Sequence, residues 1–181
     1  MSEGYQVYDP NALYYLTFQV VDWVDIFTRP EYKKIATDSF IYCRKNKGLE
    51  LYAYVIMTNH IHLIARAKEG FLLSDIIRDY KKYTANTLLT LIKEPTESRS
   101  DWMLKRFEFA AKRHKRNSEY QVWTHENHAI EIYSDKFLQQ KLDYIHQNPV
   151  RAAIVESAEE YIYSSAKNYF CNKGLIEIDL I

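Results

Sequence analysis

The chain has 181 residues, 47% of them hydrophobic, which predicts one globular domain over residues 1–181 with a sizeable core. Its 24 basic and 24 acidic residues cancel, which argues against a protein that coats nucleic acid non-specifically. No apolar stretch approaches the roughly 20 residues of a membrane span, and residues 1–10 lack a signal-peptide pattern. We therefore expect a cytoplasmic protein without a membrane partner.

The first half of the chain alternates between strand and helix patterns. Residues 13–21 are rich in β-branched and aromatic side chains and predict a strand. A helix is expected from Pro30, which is tolerated in a first turn, to a stop at Lys47-Gly48. Two further strands, residues 50–57 and 60–67, are separated by a short polar break and predict a tight hairpin.

The second half is more helical. Ser74 is a fair N-cap for a long amphipathic helix that runs to about Ile92, and a further helix is expected over residues 102–112. Ser134 is expected to cap a helix that ends near Asn148, because proline disfavours a helical conformation in the preceding residue. Residues 161–170 form a weaker helical pattern, and residues 175–180 alternate as a last strand. The order predicts an α+β domain, a ferredoxin-like antiparallel sheet covered by helices.

Positive charge is concentrated in one part of this neutral chain. Between Arg99 and Arg116 there are seven basic residues against two acidic ones, and we expect residues 94–120 to be basic and mobile. A shorter basic set precedes this segment in the long helix. Residues 105–116 are either a solvated surface or an element that contacts phosphates or stacks against bases, and the sequence alone leaves these two readings equal. The candidates for phosphate contact are Arg78, Lys81, Lys82, Lys105, Arg106, Lys112, Arg113, Lys115 and Arg116.

Two short segments carry the chemistry. In a strand, side chains at i and i+2 share a face, so His60 and His62 are able to meet one ion while Ile61 enters the core. In a helix, i and i+4 share a face, so Tyr144 and Asn148 are able to approach the same ion. Asn148 has an alternative reading as a helix C-cap before proline.

Two neutral imidazoles and one carboxamide form an open coordination shell. Water and phosphate oxygens complete such a shell around Mg²⁺ or Mn²⁺, which suits catalysis. A divalent ion on a phosphodiester oxygen offsets the charge that develops when a nucleophile attacks. Tyr144 is the candidate nucleophile, and its attack would store the phosphodiester energy in a phosphotyrosine for rejoining.

The segments at residues 54–62, 74–84 and 143–151 together resemble the REP-associated tyrosine transposases, single-tyrosine members of the HUH transposases related to small insertion-sequence enzymes. The resemblance covers most of the chain and implies the HUH single-tyrosine transposase fold. It implies that His60, His62 and Asn148 bind the metal and that Tyr144 is the nucleophile. The implied substrate is single-stranded DNA with a hairpin, such as a REP-like palindrome, and a short flanking tetranucleotide.

Further implications concern DNA contact and assembly. In the family, the helix that carries Arg78 and the later basic segment would face DNA. Trp123, His125 and His128 occupy a variable segment, in which Thr124 stands where glutamine is common. Small relatives act as homodimers that exchange the tyrosine helix, whereas other members act as monomers, so both remain open.

Two other functions compete with cleavage and strand transfer. A nucleotide hydrolase with a third alternating histidine is disfavoured, because position 64 is Ile64. A domesticated hairpin-binding protein that retains the fold and the metal but no longer transposes is also compatible with the sequence. His146 lies two residues from Tyr144 and is expected to have a DNA-binding or structural role.

Overall fold

The computed structural model describes residues 7–113, 119–171 and 173–181. Within them lies one antiparallel sheet of four strands in the order β2-β3-β1-β4. The strands are β1 (Tyr14–Gln19), β2 (Leu49–Ile56), β3 (His60–Ala67) and β4 (Ile130–Glu131). This order, with β1 and β3 in the centre, is ferredoxin-like and confirms the predicted α+β class.

The hairpin between β2 and β3 ends at a short turn that places His60 at the beginning of β3. The turn is closed by the Met57 amide, which donates to the His60 carbonyl over 2.9 Å. Strand β3 then pairs with β1 on its other side, so that Thr17 lies opposite His62 and Gln19 opposite His60. The histidine pair is therefore held by two neighbouring strands.

One face of the sheet packs against α1 (Pro30–Asn46), α2 (Leu73–Ile92) and α3 (Ser100–Lys112). Alternate residues of the central strands enter this core, which includes Phe18, Ile61 and Leu63. Helix α1 begins at Pro30 as expected, and it stops before Gly48, whose φ of 72° suits glycine. We refer to this side of the sheet as the closed face.

The opposite side of the sheet packs against α4 (Asp135–Arg151), and we call it the α4 face. The predicted cap is confirmed, because the Ser134 hydroxyl accepts a hydrogen bond from the Phe137 amide. A smaller cluster fills this face, with Ile64 from β3 and Ile145 from α4 fully buried. A short helix, α5 (Ala166–Cys171), follows.

Several boundaries differ from the sequence expectations. Helix α2 begins one residue before Ser74, with Leu72 at its N-cap and no side-chain cap. Helix α4 continues through Pro149 to Arg151, so the proline removes one backbone donor near the end of the helix without ending it at Asn148. Residues 175–180 do not form a strand, although Asp179 donates its amide to the Leu51 carbonyl.

Strand β4 was not predicted from the sequence, because two residues are too few to show a strand pattern. The predicted helix at 161–170 shortens to α5, since residues 161–165 run along β2 instead, where Val55 bridges Ser164. None of the helices in the described ranges has the length and apolarity needed to cross a bilayer.

Candidate active site

His60 and His62 lie on the α4 face of β3, and their ring centroids are 4.7 Å apart. Ile61 between them points to the closed face and is fully buried. This is the strand alternation that the sequence predicted for the three residues. Strand geometry therefore brings the two imidazoles together.

Two hydroxyl groups from β1 support His62. The Nδ1 atom of His62 is 2.8 Å from the Tyr15 hydroxyl and 2.9 Å from the Thr17 hydroxyl. Either oxygen is able to accept a hydrogen bond from a proton carried on Nδ1, which leaves Nε2 available as a ligand. Burial, helped by the charges of His60 and Lys141, lowers the pKa of His62 to about 3. The ring is therefore neutral at pH 7, as a metal ligand must be.

His60 is oriented by a hydrogen-bonded chain through Asn59 and Asp25. The Asn59 amide nitrogen donates to the Asp25 carboxylate over 2.9 Å, so its carbonyl oxygen must face the other way. That oxygen lies 2.7 Å from Nδ1 of His60 and therefore accepts a hydrogen bond from the Nδ1–H group. Burial lowers the pKa of His60, while the Asp25 charge partly opposes this shift. The chain fixes the tautomer whose Nε2 carries the free lone pair.

Tyr144 on α4 faces these histidines. Its ring centroid lies 5.3 Å from that of His62 and 6.3 Å from that of Tyr15, both in edge-to-face arrangements. Its side chain is 37% exposed, so a substrate is able to reach it. Tyr144 thus lies beside the histidines of its own chain.

Asn148 is half-buried one helical turn beyond Tyr144, on the same side of α4. It is not the helix C-cap, because the helix continues to Arg151 and Ala152 occupies the cap. The alternative reading of Asn148 as a cap is therefore wrong. Its carboxamide remains available for another role.

Two cations flank Tyr144 and were not identified from the sequence. The Lys141 ammonium is 4.4 Å from the Tyr15 ring centroid and 5.9 Å from that of Tyr144. The Arg151 guanidinium lies 5.4 Å from the Tyr144 centroid on the other side. Their spacings of three and seven residues from Tyr144 place them on its side of the helix, a signal that was present in the sequence. The surroundings of the tyrosine are thus positively charged.

The residues present fit a divalent cation. His60 and His62 are neutral, have supported Nδ1 atoms, and make no hydrogen bond through Nε2 with any described residue. No cluster of three or more histidine, cysteine or acidic side chains able to hold a metal occurs in the described ranges. A metal here would therefore need an amide, water or substrate oxygen to complete its shell, as an open catalytic site does.

The predicted DNA-contacting residues of α2 lie beside a loop formed by residues 121–128. Arg78, Lys81 and Lys82 line one depression of about 390 Å³ together with Trp123 and His125. Lys82 is exposed, whereas Arg78 pairs with two acidic residues of its own helix.

The Lys81 ammonium points inwards at this loop. It donates to the carbonyls of Thr124 and Glu126 and lies 5.0 Å from the Phe18 ring centroid. Burial lowers the pKa of Lys81 to about 7. Lys81 therefore holds the loop against α2.

The predicted contacts of α3 and beyond are more dispersed. Lys105 and Arg106 are exposed, Lys112 pairs with Glu108, and Arg113 lies 3.6 Å from Asp22 and over the Phe109 ring. Arg113 lines a second depression of about 340 Å³ on the other side of the 121–128 loop. Lys115 and Arg116 lie outside the described residues, as do all of residues 114–118. Most of the 94–120 segment that was expected to be mobile is described, and Ser100–Lys112 within it form α3.

The remaining histidine and tryptophan candidates divide between surface and core. Trp123 is buried and donates its indole N–H to the Thr84 hydroxyl, so it joins the loop to α2. His125 is exposed at the rim of both depressions. His146 is buried, with Nε2 2.9 Å from the Ser165 hydroxyl and its ring against Tyr169, which assigns it a structural role.

Comparison with known proteins gives two kinds of match. A family profile described as "Transposase IS200 like" matches residues 12–148. A solved structure described as a REP-associated tyrosine transposase bound to a REP hairpin is 20% identical, with a TM-score of 0.68 over 100% of this chain and 92% of that one. At that identity the likeness establishes the fold.

A crystal structure described as a candidate transposase from Deinococcus radiodurans R1 is 18% identical, with a TM-score of 0.44 over 80% of this chain and 95% of that one. No curated protein sequence matches the chain.

Proposed function

This chain belongs to the IS200-like transposase family, and we propose that it cleaves and rejoins single-stranded DNA beside a hairpin through a covalent bond to Tyr144. The observation that carries the proposal is the contact between β3 and α4, which sets the Tyr144 ring 5.3 Å from that of His62. A similar solved structure, described as bound to a REP hairpin, supports the choice of substrate. The likeness in fold carries that substrate here only as a proposal.

In the proposed reaction, the Tyr144 oxygen attacks the phosphorus of a phosphodiester. The bond from phosphorus to the 3′ oxygen breaks, and that oxygen leaves as a hydroxyl after it takes a proton. A 5′-phosphotyrosine results, and attack by another 3′ hydroxyl rejoins DNA without an external energy source. Lys141 and Arg151 are placed to hold the phosphate beside the tyrosine, since both lie within 6 Å of its ring.

His60, His62 and Asn148 are the residues that we propose would hold Mg²⁺ or Mn²⁺. A cation bound there would withdraw charge from the phosphodiester oxygens. The hydrogen bonds that the two Nδ1 atoms make with the oxygens of Tyr15, Thr17 and Asn59 keep both imidazoles in a fixed orientation before any ligand arrives.

The basic residues around the 121–128 loop are proposed to bind the hairpin. Lys81 acts by holding this loop, because its ammonium donates to two loop carbonyls. The other proposed contacts are Arg78, Lys82, Lys105, Arg106, Lys112, Arg113, Lys115 and Arg116. Contacts to phosphates would provide affinity that falls with salt, whatever the base sequence.

The test is a covalent-adduct assay with Mn²⁺ and hairpin oligonucleotides taken from the flanks of the gene. A label at the 3′ end should remain with the denatured protein, and a label at the 5′ end should leave on a fragment with an extendable 3′ hydroxyl. Tyr144→Phe should abolish the adduct yet still bind the hairpin. Tyr42→Phe, an exposed tyrosine on α1, is the matched control and should retain full activity.

Each other outcome has a defined meaning. Full activity in Tyr144→Phe would refute the nucleophile, and a 5′ label on the protein would refute the polarity. Tight hairpin binding by the wild-type protein without adduct or nick would favour the domesticated binder.

A further inference from the structure

A ladder of aromatic rings and one cation leads from the protein surface to Tyr144. The rings of Tyr133 and Phe137 are stacked, with centroids 5.0 Å apart and planes 13° from parallel. The Lys141 ammonium lies 5.2 Å from the Phe137 centroid, and from there it reaches the rings of Tyr15 and Tyr144. We call Tyr133, Phe137 and Lys141 the aromatic–cation ladder.

The ladder follows one side of α4. Phe137, Lys141 and Tyr144 are spaced by four and three residues, and Asn148 and Arg151 continue the same spacing. At 1.5 Å per residue, Phe137 and Tyr144 are about 10 Å apart along the helix axis. The Tyr133 ring lies a further 5.0 Å from Phe137, so the whole distance is no more than about 15 Å. At the roughly 3.4 Å rise of stacked bases, that distance accommodates at most about five nucleotides.

The charge along this stripe suits a polyanion. Among the described residues, no carboxylate forms an ion pair with Lys141 or Arg151. The nearby acid of the same helix, Asp143, accepts a hydrogen bond from Gln139 instead. Lys141 is held by the faces of aromatic rings, and its positive charge remains to be neutralised by a ligand.

Helix capping does not account for the position and exposure of the Tyr133 ring. Tyr133 precedes the Ser134 cap, a position whose side chain often packs against the fourth helical residue, which is Leu138 here. Tyr133 instead stacks on Phe137, the third residue, and remains 76% exposed. Leu138 packs into the core of the α4 face. The contact therefore leaves most of the Tyr133 ring open to a further stacking partner.

We propose that a nucleobase of the single strand next to the scissile phosphate stacks on Tyr133, with Lys141 bound to a phosphate between that base and Tyr144. This inference rests on the proposed function and adds a binding site to it. Stacking tolerates every base, because each presents a π face, so the ladder would position the strand without reading its sequence. Sequence discrimination would then come from elsewhere on the protein.

The test replaces single bases of the flank by fluorescent 2-aminopurine. The probe is the hairpin oligonucleotide cleaved in the adduct assay or, if none is cleaved, the gene-flank hairpin that binds most tightly. Binding is measured with Tyr144→Phe protein, so that the strand stays intact. Fluorescence should be quenched at one position within about five nucleotides of the nick, at the roughly 3.4 Å rise of stacked bases, and the quenching should disappear when Tyr133→Ala is added.

Affinity for the flanked hairpin should fall about 5- to 150-fold in Tyr133→Ala, the range for loss of one stacked base. Tyr133→Phe should restore it, whereas Tyr133→Leu, which keeps an apolar contact with Phe137, should not. Phe170→Ala removes another exposed aromatic ring, on α5, and is the control. Lys141→Gln should reduce the slope of log affinity against log salt by about 0.7.

The outcomes separate this inference from the proposed function. Suppose that the wild-type protein forms the adduct. Absence of quenching at every flank position, or full hairpin affinity in Tyr133→Ala, would then overturn the ladder and leave the proposed function intact. Quenching that depends on Tyr133 without any adduct would support the ladder and count against cleavage. Equal loss of affinity for a hairpin that lacks the flank would show that Tyr133 does not act through the flanking strand and would overturn the inference.

Discussion

The two faces of the sheet use the same strands for different purposes. On the closed face, Ile61 and Leu63 are buried in a large core beneath α1 and α2. On the α4 face, His60 and His62 lie beside the partly exposed Tyr144. Because alternate residues of a strand face opposite ways, β3 contributes to stability on one face and to chemistry on the other. Loss of Ile61 should therefore affect stability, whereas loss of either neighbouring histidine should affect the chemistry.

The largest effect on activity is expected from replacing a histidine on the α4 face. His62→Ala should abolish the covalent adduct and weaken Mn²⁺ binding by more than the ~10- to 100-fold typical of a supporting residue. Titration calorimetry with Mn²⁺ measures this without relying on activity. His146→Gln, which changes a buried structural histidine, should leave the Mn²⁺ affinity unchanged. Equal Mn²⁺ binding by His62→Ala and wild type would remove His62 from the ligand set.

On the closed face, Ile61→Ala should lower the free energy of unfolding by about 2–5 kcal/mol, because it leaves a cavity in the core. Urea titration measures the loss. Mn²⁺ affinity of the folded protein should stay within a few-fold of wild type, although the neighbours of Ile61 are the two histidines. Ile162→Ala, at an exposed position, is the control. A large drop in Mn²⁺ affinity without loss of stability would contradict the conclusion that the closed face serves stability and the α4 face serves metal binding.

Acid should destabilise the α4 face through His146. Burial lowers the pKa of His146 to about 4, whereas an unfolded chain takes up the same proton near pH 6.5. The unfolded state therefore binds more protons as pH falls from about 6.5 to 4, and stability falls with it. Between pH 7 and 5 this histidine should account for about 2 kcal/mol.

Urea unfolding at the two pH values checks this prediction. His146→Gln should show a pH dependence smaller by that amount, since glutamine does not titrate. An unchanged pH dependence would contradict the buried, neutral state of His146.

A smaller effect is expected from the residue that orients His60. Asn59→Ala removes the acceptor for His60 Nδ1 and should weaken Mn²⁺ binding about 10- to 100-fold without loss of the fold. Calorimetry and circular dichroism together measure the two quantities. Asn46→Ala, at the end of α1, provides the control. Unchanged affinity in Asn59→Ala would mean that the chain through Asp25 does not support the ligand.

The smallest effect concerns the entry to α4. Ser134→Ala removes the cap of the Phe137 amide and should cost about 1 kcal/mol, measured by thermal or urea unfolding. Ser134→Asp retains an acceptor and should cost much less. Because the cap lies between Tyr133 and Phe137, hairpin affinity should fall in parallel with helix stability if the ladder depends on this geometry.

Local patterns in the sequence were sufficient for most elements and for the central pairing of chemistry. The alternation around Ile61 predicted that His60 and His62 share a face, and the helical spacing placed Tyr144 and Asn148 on one side. Both inferences depend only on how many residues separate side chains that point the same way in a strand or in a helix, and this spacing is visible in a short stretch of sequence. The same periods did not reveal β4, whose two residues are too short to show alternation, and they predicted a strand at 175–180 that does not form.

Local sequence patterns are thus enough to predict most of the elements, the ferredoxin-like class and the two segments that meet at the site. The side chains that support the histidines depend on the packed fold, because strand register sets Thr17 opposite His62 and turns bring Asp25 to Asn59. It also decided that Lys81 holds a loop and that Lys141 lies among aromatic rings. Such contacts join residues that are distant in the chain. They depend on how the elements pack together, which the local spacing of residues does not predict.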